Sequence, residues 1–511
     1  MLLNTVGLQG NLTQINSVES CFARGFSGLQ ILGVNAETAK NAKERVTTAL
    51  ENNGVKLSNK KIVVNFSPGD TSFSQPGHDL AIATSLAILH NDDSSYLKTE
   101  QKVVAIGELG LSGTIKPVTG IVAMLIEAVR KNSDYFICPV QNRREVEQVL
   151  KIQKDLFSTT TILFFDHLSQ LLQWLKSGDY KSPQTLSRGE CESLHRRDFS
   201  DMNLTKELEE IACLSAIGRH SLLLTGSPGT GKSMFASRIA SLLPKLGDKE
   251  HLELLALYSC LSPRPPLSIL RGSAPFRHPH HSATAAAVLG TPDQPGELPL
   301  AHGGILFLDE VPEFRRDLLE SLREPLETGE INVSRAQRKT KWLAKSILVA
   351  AANRCPCGWL GSKKQLCHCQ HQTIQKYQRK LSGPLLDRIH IKYRMPEKDN
   401  NTNLGWLTPA TEKQASMQKR VDEALDFARQ RHEEAGIEFK TNSSLEPNQL
   451  LDACKIEESD EPLIWLKKKS DSVRQTVKTL QIARTIADLN QVPKVLPEHI
   501  EAAFNHTAGK I

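Results

Sequence analysis

The sequence predicts an α/β core that follows a mixed α+β region and precedes an all-helical region. Up to about residue 395, short apolar runs typical of buried strands, such as residues 62–66 and Ile305–Leu308, alternate with helical stretches. Beyond residue 413 the apolar residues recur at helical spacing, most clearly over residues 472–490. Polar stretches rich in turn-forming and charged residues separate the three parts. The predicted boundaries are 1–175, 201–395 and 413–511 for the three regions, with linkers at 176–200 and 396–412.

Composition places the chain among ordinary globular proteins and excludes several classes. Hydrophobic residues make up 39% and charged residues 23% of the 511 residues, the balance of a soluble domain. The longest apolar stretch, residues 80–89, is shorter than the ~20 residues that cross a bilayer, and the amino-terminal residues do not form an export signal. We therefore expect a cytoplasmic protein without membrane contact. The net charge of +6 permits a polyanionic partner without requiring one.

A phosphate-binding motif lies in the stretch LLLTGSPGTGKSMFA, residues 222–236. An apolar strand end, a glycine-rich loop and a helical stretch follow one another, so backbone N–H groups and the positive end of a helix would surround a phosphate. We expect Lys232 to reach the β- and γ-phosphates of ATP and Ser233 to ligate Mg²⁺. A chance glycine-rich turn is the alternative, and the strand–loop–helix context disfavours it. The predicted nucleotide-binding residues are Gly226, Ser227, Pro228, Gly229, Thr230, Gly231, Lys232 and Ser233.

An acidic pair ends the next buried strand, in GGILFLDEVPEF at residues 303–314. Open α/β sheets place their sites at the carboxyl ends of parallel strands. We expect Asp309 to hold the Mg²⁺ shell and Glu310 to orient and deprotonate the attacking water. A helix-capping pair is the alternative reading, which the preceding phosphate loop disfavours. A third apolar run, residues 347–352, ends at Asn353, whose amide would help to position the water.

Taken together, these motifs resemble those of AAA+ ATPases, with Asn353 as sensor 1. The resemblance implies that Arg388, in SGPLLDRIHI, is an arginine finger that completes a neighbouring subunit's site. Such a finger contributes about 10³–10⁵ in rate. It also implies that Arg474, in DSVRQTVKTLQIARTIADL, is sensor 2 in a helical lid formed by the carboxyl-terminal region. By residue type alone, either arginine could belong to a structural ion pair.

A closer resemblance covers nearly the whole chain. The strings PFRHPHHSAT, PGELPLAHGGILFLDEVPEF, AANRCPCG and SGPLLDRI resemble, in that order, the magnesium-chelatase-like ATPases of the ComM (YifB) family. This implies a homo-hexameric ring ATPase, related to the MCM helicases, that drives branch migration of DNA during natural transformation. Single-stranded and branched DNA, a recombinase and other competence proteins are the implied partners. The chain departs from the family where Arg354 replaces a usual proline and where KWLAKSILVAAAN lacks a usual Pro-Ala pair.

The amino-terminal region resembles the α+β Lon-protease-like domain, of the ribosomal protein S5 type, that this family carries. IGELGLSGTIKPVTGI, residues 106–121, resembles its strand–turn–strand, and QPGHDLAIATSLAIL its nucleophile helix. Proteolysis would need a serine–lysine dyad. Residues 77–79 are Gly-His-Asp where the serine should stand, and Ile121 and Val122 occupy the lysine's place. Ser74 and Lys116 are near but out of register, so we expect an inactive protease fold reused for assembly or DNA engagement.

Two insertions are candidates for DNA contact. SRAQRKTKW, residues 334–342, has four basic residues and resembles the hairpin that projects into the pore of such rings; a solvated surface hairpin is the alternative. Contacts from it to phosphates would position DNA without reading its sequence. Residues 264–300 resemble the helix-2 insert, where Arg271 and Arg277 are weaker candidates. The hairpin candidates are Arg335, Arg338, Lys339 and Lys341, and the insert's His278, His280 and His281 are expected to be structural or near the nucleotide.

Four cysteines follow Asn353 closely: Cys355, Cys357, Cys367 and Cys369. Four thiolates at this spacing suit tetrahedral Zn²⁺, or less well an iron–sulfur cluster, and His368 or His371 could substitute as a ligand. Free thiols in a reducing compartment are the alternative. With four protein ligands the metal would be structural, and it would fix the segment behind Asn353.

The sequence thus predicts an ATP-driven hexameric DNA motor that acts on branched or strand-exchange intermediates. The alternative is a chelatase-type remodeller whose client is a protein. An ATP-dependent protease is a third reading, opposed by the missing dyad.

Overall fold

The computed structural model describes residues 2–69, 76–90, 100–154, 157–183, 197–335, 338–381, 383–397, 411–457 and 459–508. The amino-terminal region is a mixed seven-stranded sheet with helices. In the stretch KIVVNFS at 61–67, buried Ile62, Val64 and Phe66 alternate with more exposed residues, whereas the stretch at 135–139 is buried at four of its five positions. The strands are β1 (Leu2–Gln9), β2 (Leu12–Ala23), β3 (Gly28–Leu32), β4 (Lys61–Ser67), β5 (Lys102–Ala105), a separate hairpin of β6 (Glu108–Leu109) and β7 (Ile115–Lys116), β8 (Tyr135–Pro139) and β9 (Thr161–Phe165).

The order in this sheet is β3-β4-β2-β1-β5-β8-β9. The pairs β1–β2 and β2–β4 are antiparallel, and the other neighbours are parallel. The helices of the region are α1 (Ala36–Asn52), α2 (Asp79–His90), α3 (Ile121–Arg130), α4 (Arg143–Ile152) and α5 (Leu168–Ser177).

The central region is built on a five-stranded, all-parallel sheet. Its longest strand, with the sequence ILVAAA, is buried at all six positions, as expected for a parallel strand covered on both faces. The strands are β10 (Leu222–Thr225), β11 (Phe276–Arg277), β12 (Ile305–Leu308), β15 (Ile347–Ala352) and β16 (Ile391–Arg394). Their order is β11-β12-β15-β10-β16, so β15 separates the phosphate-loop strand β10 from the acidic strand β12.

Ten helices and one hairpin belong to the described part of the central region. The hairpin pairs β13 (Glu330–Arg335) with β14 (Arg338–Leu343) in antiparallel register. The helices are α6 (Lys206–Gly218), α7 (Lys232–Ile239), α8 (Asp248–Leu261), α9 (Leu267–Leu270), α10 (Ala285–Leu289), α11 (Glu297–Leu300), α12 (Arg316–Ser321), α13 (Arg323–Thr328), α14 (His371–Gln378) and α15 (Gly383–Leu386).

The carboxyl-terminal region is all-helical over its described residues. It comprises α16 (Thr411–Glu434), α17 (Pro447–Cys454), α18 (Glu461–Lys469), α19 (Val473–Leu489) and α20 (Pro497–Thr507). Helix α19 packs against α6, α16, α17 and α20. It contains a fully buried ion pair, Arg484–Asp488 at 2.9 Å, and its Thr485 hydroxyl lies 2.7 Å from His220 Nε2 in the central region. The lid therefore shares a core with the central sheet.

The amino-terminal region packs directly on the central region. Helices α3 and α4 contact α8, and the backbone N–H of Gly120 donates to Ser259 O at 2.7 Å. One apolar core runs without interruption through α3, α4 and α8 into the central sheet. Among the described residues, none of the helices has the length and apolar character that a membrane crossing requires.

Candidate nucleotide-binding site

The phosphate-binding loop connects the carboxyl end of β10 to the first residue of α7. Gly229 and Gly231 have φ values of +76° and +90°, a conformation that favours glycine. The chain can therefore fold back tightly and present its N–H groups at the amino end of α7, where the helix dipole favours an anion. This is the strand–loop–helix geometry that the sequence predicts for residues 226–233.

Lys232 is buried within the loop. Its Nζ donates to Gly226 O at 2.8 Å, to Ser227 O at 2.9 Å and to Asn353 Oδ1 at 3.1 Å. Burial lowers the pKa of Lys232, and the nearby carboxylates of Asp309 and Glu310 oppose that shift. A phosphate beside this ammonium group would stabilise the protonated amine and so offset the effect of burial on its pKa.

The proposed magnesium ligands lie side by side at the carboxyl edge of the sheet. The Ser233 hydroxyl donates to Asp309 Oδ2 at 2.5 Å, and Asp309 Oδ1 accepts from the Glu310 backbone N–H at 2.9 Å. A hydroxyl and a carboxylate at hydrogen-bond distance are oxygen ligands of the kind that Mg²⁺ binds together with substrate phosphates. These residues fit the ion that the motif implies.

Glu310 adopts a left-handed backbone conformation with φ of +50°. Non-glycine residues rarely do so, and such strain is concentrated at functional sites. The turn leaves the Glu310 side chain exposed beside the Ser233–Asp309 pair. Asn353, at the end of the intervening strand β15, approaches the same place from the other side through its contact with Lys232.

Arg388 and Arg474 lie together, away from this group. The Glu327 carboxylate binds both: Oε2 lies 2.5 Å from Arg388 Nη2, and Oε1 lies 3.0 Å from Arg474 Nη2. Arg388 also donates from Nε to Arg323 O at 2.9 Å. Its own carbonyl accepts from Ser221 Oγ at 2.8 Å, which fixes Arg388 at the amino end of β10. The nucleotide loop is at the carboxyl end of the same strand.

The four cysteines form a compact cluster. Their Sγ atoms all lie within 4.8 Å of one another, and the separations of Cys355 from Cys357 and Cys367 are 3.3 and 3.6 Å. A tetrahedral zinc site with 2.3 Å bonds separates its sulfurs by about 3.8 Å, so the cluster fits this geometry. The backbone N–H of Trp359 lowers the pKa of Cys357 to about 6, whereas burial raises the pKa of Cys355. Within the described ranges, His368 and His371 do not join this cluster.

The basic hairpin is anchored on its inner face and basic on its outer face. Trp342 is fully buried, with Nε1 donating to Thr291 O at 2.9 Å, and Thr340 Oγ1 donates to Pro292 O at 2.8 Å. Lys341 pairs with Glu330 across the hairpin at 2.7 Å, which partly neutralises this candidate. Lys339 is exposed. Of Arg335 and Arg338 the structure describes only the backbone.

The candidates in the helix-2 insert are mostly occupied by structural contacts. Arg277 forms a double hydrogen bond with Glu297, at 2.6 and 2.7 Å, whereas Arg271 is exposed. The His278 ring packs on Phe307, with centroids 4.8 Å apart. The rings of His280 and His281 pack against each other. Among the described residues, neither histidine belongs to a group that could bind a metal ion.

In the described part of the amino-terminal region, positions 77–79, where the nucleophile would stand, hold glycine, histidine and aspartate. His78 is buried and lies 3.1 Å from the Thr5 hydroxyl. Asp79 is buried and paired with Arg45 at 2.6 Å. Lys116 is exposed and lies 3.4 Å from Glu108. Ser74 lies outside the described residues.

Two residues that contact the predicted site residues belong to no sequence motif. Glu327 is one of many acidic residues on a helix surface, and no local pattern marks it. Glu397 follows β16, the strand beside β10, and accepts from the Ser227 hydroxyl at 2.6 Å. The sequence offered one signal for Glu397: it is a polar residue just beyond a parallel strand, and that strand neighbours the strand of the phosphate loop.

A phosphate loop on one strand, with an acidic pair two strands away and an asparagine between them, is the arrangement of an AAA+ nucleotide-binding core. Comparison with known families specifies the class. Residues 198–403 match "Magnesium chelatase, subunit ChlI", residues 18–142 match "Subunit ChlI of Mg-chelatase", and residues 411–506 match "Magnesium chelatase, subunit ChlI C-terminal".

Relatives that span the whole chain identify the family within this class. YifB of Escherichia coli is 33% identical over 500 residues, covering 96% of this chain and 94% of YifB. Competence protein ComM of Haemophilus influenzae is 32% identical over 517 residues, covering 99% of this chain and 96% of ComM. The chain belongs to the ComM/YifB family of magnesium-chelatase-like AAA+ proteins, which confirms the resemblance seen in the sequence. Membership suggests ATPase activity that depends on ATP and Mg²⁺.

Proposed function

We propose that the protein is an ATP-driven DNA motor that assembles as a homo-hexamer and moves branched or strand-exchange intermediates. The observation that carries the DNA part is the hairpin β13–β14, a two-stranded ribbon that Trp342 anchors at its base and that exposes Lys339 and Lys341 on β14. The printed name of ComM, a competence protein, supports a role in natural transformation and recombination. Recombinases and other competence proteins are the partners that such a role implies.

The assembly part of the proposal follows from the position of Arg388. The first and last residues of the four-residue strand β16 lie about 10 Å apart, which is the distance between the amino and carboxyl edges of the sheet at this strand. Arg388 and Arg474 are bound by one carboxylate near the amino edge, while Lys232 and Asp309 lie at the carboxyl edge. These arginines are therefore badly placed for the nucleotide of their own chain. In a ring they would reach the nucleotide of the adjacent chain and complete its site.

Within each chain, the residues divide the chemistry of hydrolysis. Lys232 would bind the β- and γ-phosphates, and Ser233 and Asp309 would hold Mg²⁺, which supplies charge stabilisation to the transferred phosphoryl group. Glu310 would take the proton of the attacking water, and Asn353 would orient that water beside Lys232.

A chelatase-type remodeller that acts on a protein is the second candidate, and the three family matches to ChlI favour it. A protease is disfavoured, because His78 and Asp79 are buried in contacts of their own where a nucleophile should be exposed.

ATP hydrolysis with and without single-stranded and branched DNA separates the two candidates. The wild type is compared with the variant Arg338→Ala, Lys339→Ala, Lys341→Ala. A matched control removes three lysines from the exposed end of α18: Lys467→Ala, Lys468→Ala, Lys469→Ala.

For a DNA motor, DNA stimulates the wild type and the control but not the hairpin variant. The stimulation also falls steeply with salt, because phosphate contacts release counterions. If DNA changes hydrolysis in none of the three proteins, the motor is refuted and the remodeller takes its place.

A further inference from the structure

The cysteine loop touches the phosphate-binding loop at Gly358. A Cβ atom at this position would lie 2.5 Å from Pro228 Cγ and 2.6 Å from Pro228 Cδ, and 3.8 Å from Asn353 Cγ. The φ of Gly358 is +83°, so both the conformation and the space require glycine. The backbone of the cysteine loop therefore rests directly on the second residue after Gly226.

A second connection runs through Glu397. Its Oε1 accepts from the Ser227 hydroxyl at 2.6 Å, and its Oε2 accepts from the Lys363 backbone N–H at 3.0 Å. These hydrogen bonds lower the pKa of Glu397 to about 2, so the carboxylate is ionised at neutral pH. One carboxylate thus joins the phosphate-binding loop to the cysteine loop.

Both contacts fall inside the segment that a metal would tie down. Gly358 and Lys363 lie between Cys357 and Cys367, whose sulfurs are 3.6 Å apart. The intervening residues have few buried apolar side chains, and Leu366 is 79% exposed. Without a metal to hold its two ends, such a segment gains conformational freedom, and its contacts to Pro228 and Glu397 weaken.

We propose that Glu397 is a positioning residue that couples metal binding by the four cysteines to nucleotide binding by the phosphate loop. The inference rests on the proposed nucleotide binding and not on DNA or ring assembly. The metal stays structural, and Glu397 touches neither metal nor nucleotide. It transmits the order of one loop to the other through Ser227.

The coupling is reciprocal by thermodynamic necessity. If zinc tightens ADP binding by some factor, ADP tightens zinc binding by the same factor. We expect a factor of about fivefold or more, the low end for coupled sites. Zinc retention is therefore a readout of the coupling that is independent of hydrolysis.

The test measures zinc affinity of the full-length protein by competition with a coloured chelator, with and without saturating ADP and Mg²⁺. Binding of fluorescent ADP to zinc-loaded and zinc-stripped protein gives the other side of the cycle. Glu397→Ala and Ser227→Ala each remove one side of the bridge, and the double variant shows whether they act through one contact. Glu438→Ala removes an exposed carboxylate elsewhere and is the matched control.

ADP should tighten zinc binding in the wild type and in Glu438→Ala. The effect should be reduced in Glu397→Ala and in Ser227→Ala, with no further reduction in the double variant, because the contact of Gly358 with Pro228 remains. Glu397→Gln, which keeps an acceptor oxygen, should restore part of it.

An unchanged zinc affinity in wild type that binds ADP normally would overturn the coupling alone. Full coupling in a folded Glu397→Ala protein would overturn the role of Glu397. A wild type that does not bind ADP would overturn both the inference and the proposed function.

Discussion

Replacing Glu145 by glutamine should make the stability of the protein less dependent on pH. Glu145 lies in the first turn of α4, the helix that packs on α8 where the amino-terminal and central regions meet. It is 1% exposed, and Asn142 Nδ2 donates to its Oε1 at 2.5 Å. Burial raises the pKa of Glu145 from 4.5 to about 8, although hydrogen bonds from Asn142 and Ser259 oppose the rise.

The sign of the effect follows from proton binding. Between pH 4.5 and about 8 the folded protein holds a proton on Glu145 that the unfolded chain has released. The free energy of unfolding therefore falls as the pH rises through this window, by up to about 1.4 kcal/mol per pH unit, and levels off above it. Below pH 4.5 both states are protonated, and Glu145 contributes no pH dependence.

Other buried groups nearby do not titrate in the same window. Burial raises the pKa of Cys260 to about 12, and it also raises that of Cys138. Both thiols stay neutral, so a difference between wild type and Glu145→Gln reports Glu145 itself.

The assay is the free energy of unfolding in urea at pH values from 5.5 to 8.5. As the pH rises, the free energy of unfolding of Glu145→Gln should increase steadily relative to that of the wild type. Glu147 is an exposed carboxylate on the same helix, so Glu147→Gln should have the same pH profile as the wild type. Parallel pH profiles for wild type and Glu145→Gln would refute the reasoning, because they would mean that the proton on Glu145 is released equally in both states.

Three further predictions concern hydrolysis and the metal. Glu310→Gln should bind ATP normally and hydrolyse it about 100-fold or more slowly, since a general base contributes about 10²–10⁴ in rate; single-turnover hydrolysis and ATP binding measure the two steps. Cys367→Ser should lose most of the bound zinc and unfold at a lower temperature, because one of four ligands is gone; metal analysis and a melting curve check this. Glu327→Gln should lower hydrolysis only a few-fold, because a half-exposed ion pair contributes about 0.2–1 kcal/mol, whereas Arg388→Ala should lower it by about 10³ or more.

Each of these has a matched control and a contrary outcome. Glu313→Gln, in the same turn, should hydrolyse ATP normally; turnover of Glu310→Gln at the wild-type rate would place the base elsewhere. Cys21→Ser should keep its zinc, and full zinc content in Cys367→Ser would refute the cysteine ligand set. Glu324→Gln does not change the contacts of the two arginines. Equal losses of ATP hydrolysis in Glu324→Gln and Glu327→Gln would therefore show that Glu327 does not orient them.

Local sequence predicted the parts of the site that lie close together along the chain. The loop of residues 226–233, the acidic pair after β12 and the cysteine cluster each depend on spacing within a short segment. In these segments, φ preferences, hydrogen-bond capacity and ligand chemistry determine the geometry with little help from the rest of the fold. The same holds for the carboxyl-terminal helices, where apolar spacing predicted a helix at 472–490 and the structure has Val473–Leu489.

Position in the sheet was predictable only in part. The sequence indicated that Asn353 ends a strand, and the strand order then placed its amide 3.1 Å from Lys232 Nζ. Parallel pairing of β10, β12 and β15 brings residues from distant segments to one edge. That pairing is a property of the whole sheet, not of any one strand.

The sequence by itself identified the residues that we propose to bind phosphate, magnesium and zinc. Only the tertiary structure decided that Glu327 holds Arg388 and Arg474 together, that Glu330 partly neutralises Lys341, and that Glu397 joins two loops. An ion pair or hydrogen bond between surface side chains needs only proximity and opposite polarity. Many residues in the chain satisfy that condition, so no spacing rule predicts which of them pair. The packing of the sheet, the loops and the lid selects the pairs.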